Sequence, residues 1–395
     1  MFTLKIEILE KFEIVVKTLF GFEEILAAEL REIGASDIEI LTRAVKFKGN
    51  NELLYKSNLL LRTAIKVLKP IASFNANNEE QLYQKVRGID WSEYMTVDDT
   101  LAIDGITFSD VFTHSQYIAL KTKDAIVDQF RDKFGVRPNV DIENPNLRIN
   151  VHIADTTVSI SLDSSGKSLG KRGYKTEQNA APLSEVMAAG IIMLSGWDKS
   201  RPFIDPMCGS GTIPIEAALI ARNIPAGSFR HFTFEYWKDF DANLWAEIKR
   251  EANAKIVPYD SKIKGFDIDS KTVRIARDNA KRAGVDDIVE VEHMDFFETS
   301  PGLDNAHLVM NPPYGERLEA KEDMIDLYKA IGDHFKQHYN GCDAWVLSGN
   351  LDAIKFIGLR PSRKIWLYNG PIECKLHKFE MYRGSKKASK QENQN

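Results

Sequence analysis

From Pro202 onward the chain repeats one unit, a short apolar strand that closes on a polar residue and is followed by a helix. "PFID" (Pro202–Asp205) leads into "TIPIEAALIARN", and "KIKGFDID" into "SKTVRIARDNAKRAG". "HLVMNPP" leads into "KEDMIDLYKAIGDHFKQHY", then come "AWVLSG" and "KIWLYNGPIECKLHKFEMYRG", which reads as a hairpin with Asn369–Gly370 near its turn. Strands alternating with helices in this rhythm bury their apolar faces in a parallel, doubly wound α/β sheet. Such a sheet binds its ligand outside the carboxyl ends of its strands. The residues that close each strand are therefore the first place to look for chemistry.

The preceding half has another rhythm. "FEIVVKT" (Phe12–Thr18) is β-rich, "GFEEILAAELREIG" has helical spacing ended by a glycine, and "DIEILTRAVKFKG" returns to strand alternation. This suits a small α+β unit over residues 1–70. Residues 71–163 form a second segment, with a helix near Glu79–Val86, the strand "TLAIDG", a long amphipathic helix over Ser115–Gly135 and a hairpin over Arg148–Asp163. Residues 164–181 are polar, glycine-bearing and basic, and read as a linker to a catalytic domain over 182–384. The lysine- and glutamine-rich tail, 385–395, reads as disordered. A chain of 395 residues suits two or three domains. With 43% hydrophobic and 28% charged residues it has an ordinary globular composition. No apolar run approaches the ~20 residues that span a bilayer. The first residues lack the layout of a signal peptide. Cys208, Cys342 and Cys374 are too scattered for a disulfide framework, and the histidines lack metal spacing, so a reduced, cytoplasmic setting without membrane or metal is expected.

"FIDPMCGSGT" places Asp205 at a strand end, Gly209 and Gly211 in a tight loop, and a helix start near Thr212. There is no GxGxxG and no Gly-Lys-Ser/Thr to hold phosphates. Asp205 would repel a pyrophosphate but can accept a hydrogen bond from a cationic amino group. The next strand ends in "GFDID", where Asp267 is placed to bond ribose hydroxyls, while Asp269 opens the following helix and suits an N-cap. Asp295, after "VEHM", could accept an adenine amino proton. Each acid alone reads more simply as a cap or turn residue. Three at successive strand ends favour a nucleoside ligand. "LVMNPPYGERL" then ends a strand at Asn311, Pro312, Pro313 and Tyr314. On a planar aromatic amine, whose lone pair is delocalised, the Asn311 side-chain oxygen and the Pro312 carbonyl would accept the two amino hydrogens. That favours a pyramidal nitrogen with its lone pair aimed at an incoming methyl group. Tyr314 can stack on a flipped base, worth ~1–3 kcal/mol, and the paired prolines stiffen the loop.

On these motifs residues 203–382 resemble class I S-adenosylmethionine-dependent methyltransferases of the amino-group type. "KRGYK", "APLSEVMAAGII", "DPMCGSGTIPIEAALIARN", "NPPYGERL" and "NGPIECKL", in that order, extend the resemblance over nearly the whole chain. It is similar to the THUMP-domain enzymes that make N2-methylguanosine in bacterial 23S ribosomal RNA, and "FTHSQYIALKTKDAIVDQFRDKFGVRPNVD" resembles their THUMP core. The resemblance implies a Rossmann-like methyltransferase domain preceded by ferredoxin-like and THUMP domains that grip RNA. It implies that the loop with Met207, Cys208, Gly209, Gly211 and Thr212 binds the methionine part of S-adenosylmethionine. Asp267, with Ile268 beside it, would take the ribose, and Asp295, with Phe296, the adenine. Pro182 and Leu183 would border the cofactor, and Asn311 to Tyr314 would face both cofactor and guanine amine. The second methyltransferase domain that some relatives carry, and its activity, are not expected in a chain of this length.

The proposed RNA-binding half is acidic, with 19 Lys+Arg against 25 Asp+Glu over residues 1–163. Phosphate contact generates most nonspecific affinity, so contact must be local. Lys121, Lys123, Arg131, Lys133 and Arg137 are candidates on the long helix, although Asp124, Asp128 and Asp132 among them also suit a plain solvated face. Lys167, Lys171, Arg172 and Lys175, with Tyr174 to stack, form a cleaner basic stretch that also suits a soluble linker. Trp237 and Trp245 could be a lid or a helix core. The expected activity is guanine-N2 methylation of 23S rRNA. A tRNA substrate, methylation of a protein glutamine amide, or a noncatalytic RNA-binding assembly role are the alternatives.

Overall fold

The structure, a computed structural model, describes residues 11–175, 183–300, 305–315 and 321–382. Pro182 and the 385–395 tail lie outside the described residues. The chain forms two compact units interleaved in sequence. One gathers Met1–Thr18, Leu26–Leu169 and Arg230–Glu251, and the other Leu19–Ile25, Gly170–Phe229 and Ala252–Asn395.

In the first unit β1 (Phe12–Thr18), α1 (Glu23–Glu32), β2 (Ser36–Leu41), β3 (Ala44–Gly49), α2 (Asn51–Leu60) and β4 (Ala64–Asn75) precede α3 (Glu79–Arg87), β5 (Thr100–Phe108), α4 (Ser115–Phe134), β6 (Asn139–Val140), β7 (Leu147–Ala154) and β8 (Thr157–Asp163). They build one eight-stranded sheet in the order β2-β3-β1-β4-β8-β7-β5-β6. The stretch "DIEILTRAVKFKG", expected as strand, is two strands, because the backbone reverses at Arg43 with φ of 57°. Residues near the start of the expected linker are also built in. The Ser164 N–H and hydroxyl both donate to the Val67 carbonyl, at 3.0 and 2.7 Å, continuing the sheet edge beyond β8.

Residues 230–251 belong to this first unit although they lie in the second half of the sequence. Phe234 stacks on Tyr55 with ring centroids 4.4 Å apart, and Trp245, on α7 (Ala242–Ala254), packs edge-on to Phe234 at 5.1 Å. Trp237 and Trp245 are both buried, so they are core residues and not a lid.

The second unit adds α5 (Glu185–Ser195), β9 (Phe203–Asp205), α6 (Thr212–Ala221), β10 (Ile263–Asp267), α8 (Ser270–Arg282), β11 (Val289–His293), β12 (His307–Met310), α9 (Lys321–His338), β13 (Asp343–Ser348), β14 (Arg363–Asn369) and β15 (Ile372–Glu380). Its sheet runs β11-β10-β9-β12-β13-β15-β14, parallel except that β15 is antiparallel to both neighbours. Strand order reverses between β9 and β12, which makes their carboxyl ends the topological switch point where doubly wound folds take ligands. All four β12 residues are buried, as expected of a central strand covered on both faces. On one face Tyr328, Ile331, Phe335 and Tyr339 of α9 and the residues after it pack with Met310 and Val346. On the other, α5 and α6 are apolar all round and largely buried. Gly190 of α5 seats the Phe22 ring, where an added Cβ would come within 2.1 Å. Among the described residues no helix is long and apolar enough to cross a membrane.

Candidate active site

At the end of β9, Asp205 is buried. Its Oδ1 accepts the Met207 N–H at 3.2 Å, and its Oδ2 has no hydrogen-bond partner among the described residues. Burial, and secondarily the charge of Asp267, push its carboxyl well above the usual range. A buried carboxylate oxygen without a donor is an unusual and costly arrangement. A cationic N–H donor would satisfy it, and the amino group of S-adenosylmethionine has that chemistry, so the residues present fit that cofactor.

The loop after Asp205 is held from three sides. The Cys208 N–H donates to the Phe266 carbonyl at 2.8 Å, the Gly209 N–H to Asp267 Oδ2 at 2.9 Å, and Asn279 Nδ2 to the Ser210 carbonyl at 3.0 Å. Gly211 has φ of 81°, and a Cβ there would come 3.0 Å from Ala276, so glycine is required both by conformation and by space. Sequence reasoning missed Asn279. The signal was an amide on the buried face of α8, where a polar group needs a partner. Cys208 is buried, with its Sγ where a Cβ on Gly265 would meet it at 3.1 Å. Burial and the neighbouring Asp205 and Asp267 push its thiol well up, away from the thiolate a nucleophile needs.

Asp269 caps α8 by accepting from the Lys271 N–H at 3.1 Å and the Thr272 hydroxyl at 2.6 Å, which leaves Asp267 as the acid at the sheet edge. Ile268 beside it is 66% exposed, an apolar side chain open at the same edge. Asp295 Oδ1 accepts the Phe297 N–H at 3.0 Å. The ring of Phe296, expected beside the cofactor, packs into the core against Phe335, Tyr339 and His334. Thr212 and Leu183 are buried, and Met207 packs against the core around Ile204.

Beyond β12, Asn311 and Tyr314 come together. The Tyr314 hydroxyl donates to Asn311 Oδ1, which fixes the amide with its oxygen toward the loop. The loop is braced from α9 and from the end of β13. The Tyr328 hydroxyl lies 3.4 Å from the Pro313 carbonyl and 2.6 Å from Ser348 Oγ, and Asn350 Nδ2 donates to the Tyr314 carbonyl at 3.3 Å. The Tyr314 ring lies against Gly349, where a Cβ would sit 2.8 Å from the ring and 2.7 Å from Ile372. Cys374 Sγ is 4.0 Å from the Tyr314 hydroxyl. The hairpin tip and the β13 end thus wall the Asn311–Tyr314 loop, and Tyr328, Ser348, Gly349, Asn350 and Ile372 were not expected from sequence.

Arg172, Tyr174 and Lys175, expected to contact RNA, are turned inward. Arg172 and Tyr174 are each 1% exposed and the Lys175 side chain 4%, so none of the three is available to a polyanion. The Arg172 guanidinium and the Tyr174 hydroxyl converge on buried Glu216, at 3.5 and 3.1 Å, and Lys175 pairs with Glu185 at 3.6 Å while donating to the Leu183 carbonyl at 2.9 Å. Acids distant in sequence draw this stretch inward, and of the basic residues Lys167, Lys171, Arg172 and Lys175 only Lys167 and Lys171 are exposed. On α4 and just after it, every candidate cation has a carboxylate within 4.0 Å: Lys121 with Glu80, Lys123 with Asp124, Arg131 and Arg137 with Asp128, Lys133 with Asp90. That surface has mixed charge and little net field.

The profile of the RMKL-like methyltransferase domain matches residues 172–378, the THUMP domain 76–163, and the RlmL ferredoxin-like domain 13–68. The chain is 39% identical to "Ribosomal RNA large subunit methyltransferase K/L" of Syntrophotalea carbinolica over 91% of its own length and 52% of that protein's. It therefore spans about half the length of this relative. It is 38% identical to "Putative RNA methyltransferase slr0064" of Synechocystis over 92% of this chain and 95% of that one. The solved structure of SMU.472, described as "a putative methyltransferase complexed with SAH", superposes with a TM-score of 0.85 at 33% identity, covering 95% of this chain and all of that one. The chain belongs to the RMKL-like methyltransferase family, with ferredoxin-like and THUMP domains preceding a class I methyltransferase domain.

Proposed function

We propose that this protein transfers a methyl group from S-adenosylmethionine to the exocyclic N2 amine of a guanine in 23S ribosomal RNA. The observation that carries the reading is the pairing of Asn311 Oδ1 with the Tyr314 hydroxyl at the switch point, one strand from orphaned Asp205. Relatives named as large-subunit ribosomal RNA methyltransferases support the substrate, and the neighbour complexed with SAH supports the cofactor.

S-adenosylmethionine, when bound, supplies an electrophilic methyl group. The protein's own task is to present the amine. An amide oxygen has two lone pairs; Tyr314 occupies one at Asn311, and the other remains for an amino hydrogen. The Pro312 carbonyl is the second acceptor at the loop. Two acceptors draw the amine out of conjugation, so its lone pair can attack the methyl carbon, and the proton leaves after transfer. Positioning of this kind needs no strong base. The Tyr314 ring, held on one side by Gly349, offers its other side to the base.

The test is to delete the gene and map N2-methylguanosine in total rRNA and tRNA by mass spectrometry. Loss of one 23S mark, restored by the wild-type gene and not by Asn311→Ala, is expected. A mark missing from tRNA alone overturns the substrate. Wild-type turnover in Asn311→Ala overturns the mechanism.

A further inference from the structure

The acidic front half and the paired cations of α4 leave open where a polyanion would gain its local positive field. The second sheet supplies one. In its register Ser348 of β13 lies beside Lys375 of β15, and Lys375 beside Trp366 of β14. The adjacent row on the same face places Val346, His377 and Lys364 side by side. Directly paired residues point to one face of a sheet. Lys364, Trp366 and Lys375 therefore share a surface that leads outward from Ser348, next to the wall of the Asn311–Tyr314 loop, to β14, the last strand of the sheet, whose Tyr368 packs edge-on against Phe20.

Three features separate this surface from an ordinary solvated one. Trp366 is 49% exposed, with Lys375 Nζ 3.7 Å from its ring centroid. An exposed indole under a lysine is a cation–π pair that leaves the other ring face open to stacking. Among the described residues, neither Lys364 nor Lys375 has a carboxylate within ion-pair distance, in contrast to all five candidate cations of the α4 region. The only acid on the same face of β15 next to Lys375 is Glu373, opposite Tyr368 at the exposed hairpin end, and it pairs with neither lysine. His377 lies buried between the lysines and adds no charge, since burial and the two cations hold it down at about 4.

We infer that Lys364, Trp366 and Lys375 form a nucleotide platform beside the catalytic loop. Trp366 stacks a base flanking the methylated one, and the two lysines hold backbone phosphates. A flipped guanine leaves its neighbours splayed, and an aromatic face with flanking cations is the chemistry that holds such single-stranded segments. The inference rests on the RNA reading above, and its test separates the two.

The test uses the full chain and a short mixed-sequence single-stranded RNA, with binding followed by fluorescence anisotropy across a salt series. Trp366→Ala is expected to weaken binding about 5–100-fold, and Trp366→Phe to restore most of it. Lys364→Gln with Lys375→Gln is expected to lower the slope of log affinity against log salt by about 1.4, near 0.7 per lost phosphate contact. Calorimetric affinity for S-adenosylhomocysteine should be unchanged in every variant, which also reports that the fold is intact. Wild-type RNA affinity and salt slope in the triple variant overturn the platform while leaving RNA methylation standing. A wild-type chain that binds S-adenosylhomocysteine but no RNA overturns both.

Discussion

At the scale of single residues, Asp205 and Tyr314 each carry a consequence that their own geometry fixes. In the free protein Asp205 is buried with one oxygen unpartnered, and its carboxyl titrates well above the usual range. As pH falls through that raised value the group takes up a proton and loses its attraction for a cation. Affinity for S-adenosylhomocysteine, which carries the same amino group, should therefore tighten as pH rises through that value and level once Asp205 is ionised. Asp205→Asn should weaken binding about 10–100-fold, the scale of one charge-assisted hydrogen bond, and should flatten the pH dependence. Calorimetry across the acidic to neutral range measures both, and an unchanged slope in the variant would remove Asp205 from the amino-group site. The Tyr314 hydroxyl donates to Asn311 Oδ1, and in the proposed mechanism the ring stacks on the base, so the two roles divide between two substitutions. Tyr314→Phe keeps the ring and loses one neutral hydrogen bond, which should lower kcat about 2–10-fold with little change in KM for RNA. Tyr314→Ala should raise KM as well. Equal effects on KM from both variants would contradict this division.

At the scale of elements, the site residues lie at five strand ends, those of β9 to β13, and at one hairpin tip. Gly349, just past β13, lies where the Tyr314 ring and Ile372 leave no room for a Cβ. Gly349→Ala should displace the ring and cut kcat on RNA at least about tenfold, the scale of an overpacking strain above 1 kcal/mol, with S-adenosylhomocysteine affinity retained. Parallel loss of both would mean that the unit itself had been disturbed. The elements also show what was legible beforehand. β12 and its Asn311–Tyr314 loop could be read because an apolar run broken by two prolines is a local signal. The Asp269 cap could be read for the same reason, since an N-cap is defined by the helix it opens. The Ser348–Asn350 brace could not, because β15 enters antiparallel and brings the 369–372 turn back to the carboxyl edge, and no local pattern encodes that return. The burial of Arg172, Tyr174 and Lys175 escapes the sequence for a related reason. The stretch is basic and polar in composition, while its partners Glu185 and Glu216 lie on helices beyond it, and only those partners make burial tolerable.

At the scale of the whole molecule, sequence order and spatial unit part company at residues 230–251. This segment lies between β9 and β10 of the methyltransferase sheet, yet it belongs to the unit built around the eight-stranded sheet. Its rings are core residues there, with Trp245 packed 5.1 Å from Phe234 and 6.0 Å from Tyr55. Removing a buried tryptophan leaves a cavity that costs about 3–5 kcal/mol, a large share of the stability of any single unit. Trp245→Ala should therefore loosen the first unit and not the second. Hydrogen exchange read by mass spectrometry is the suitable measurement, because it resolves local stability along the chain. Protection should fall in peptides from β1, β4 and α2 while those from β9, β12 and β13 keep theirs. Affinity for S-adenosylhomocysteine should be unchanged, since Asp205, Asp267 and the glycine loop all belong to the other unit. Binding of S-adenosylhomocysteine should raise protection around β9, β10 and β12 equally in wild type and variant, because a ligand stabilises the state it binds. If Trp245→Ala instead strips protection from β9 and β12 and abolishes binding, residues 230–251 support the catalytic unit directly and the division drawn here is wrong.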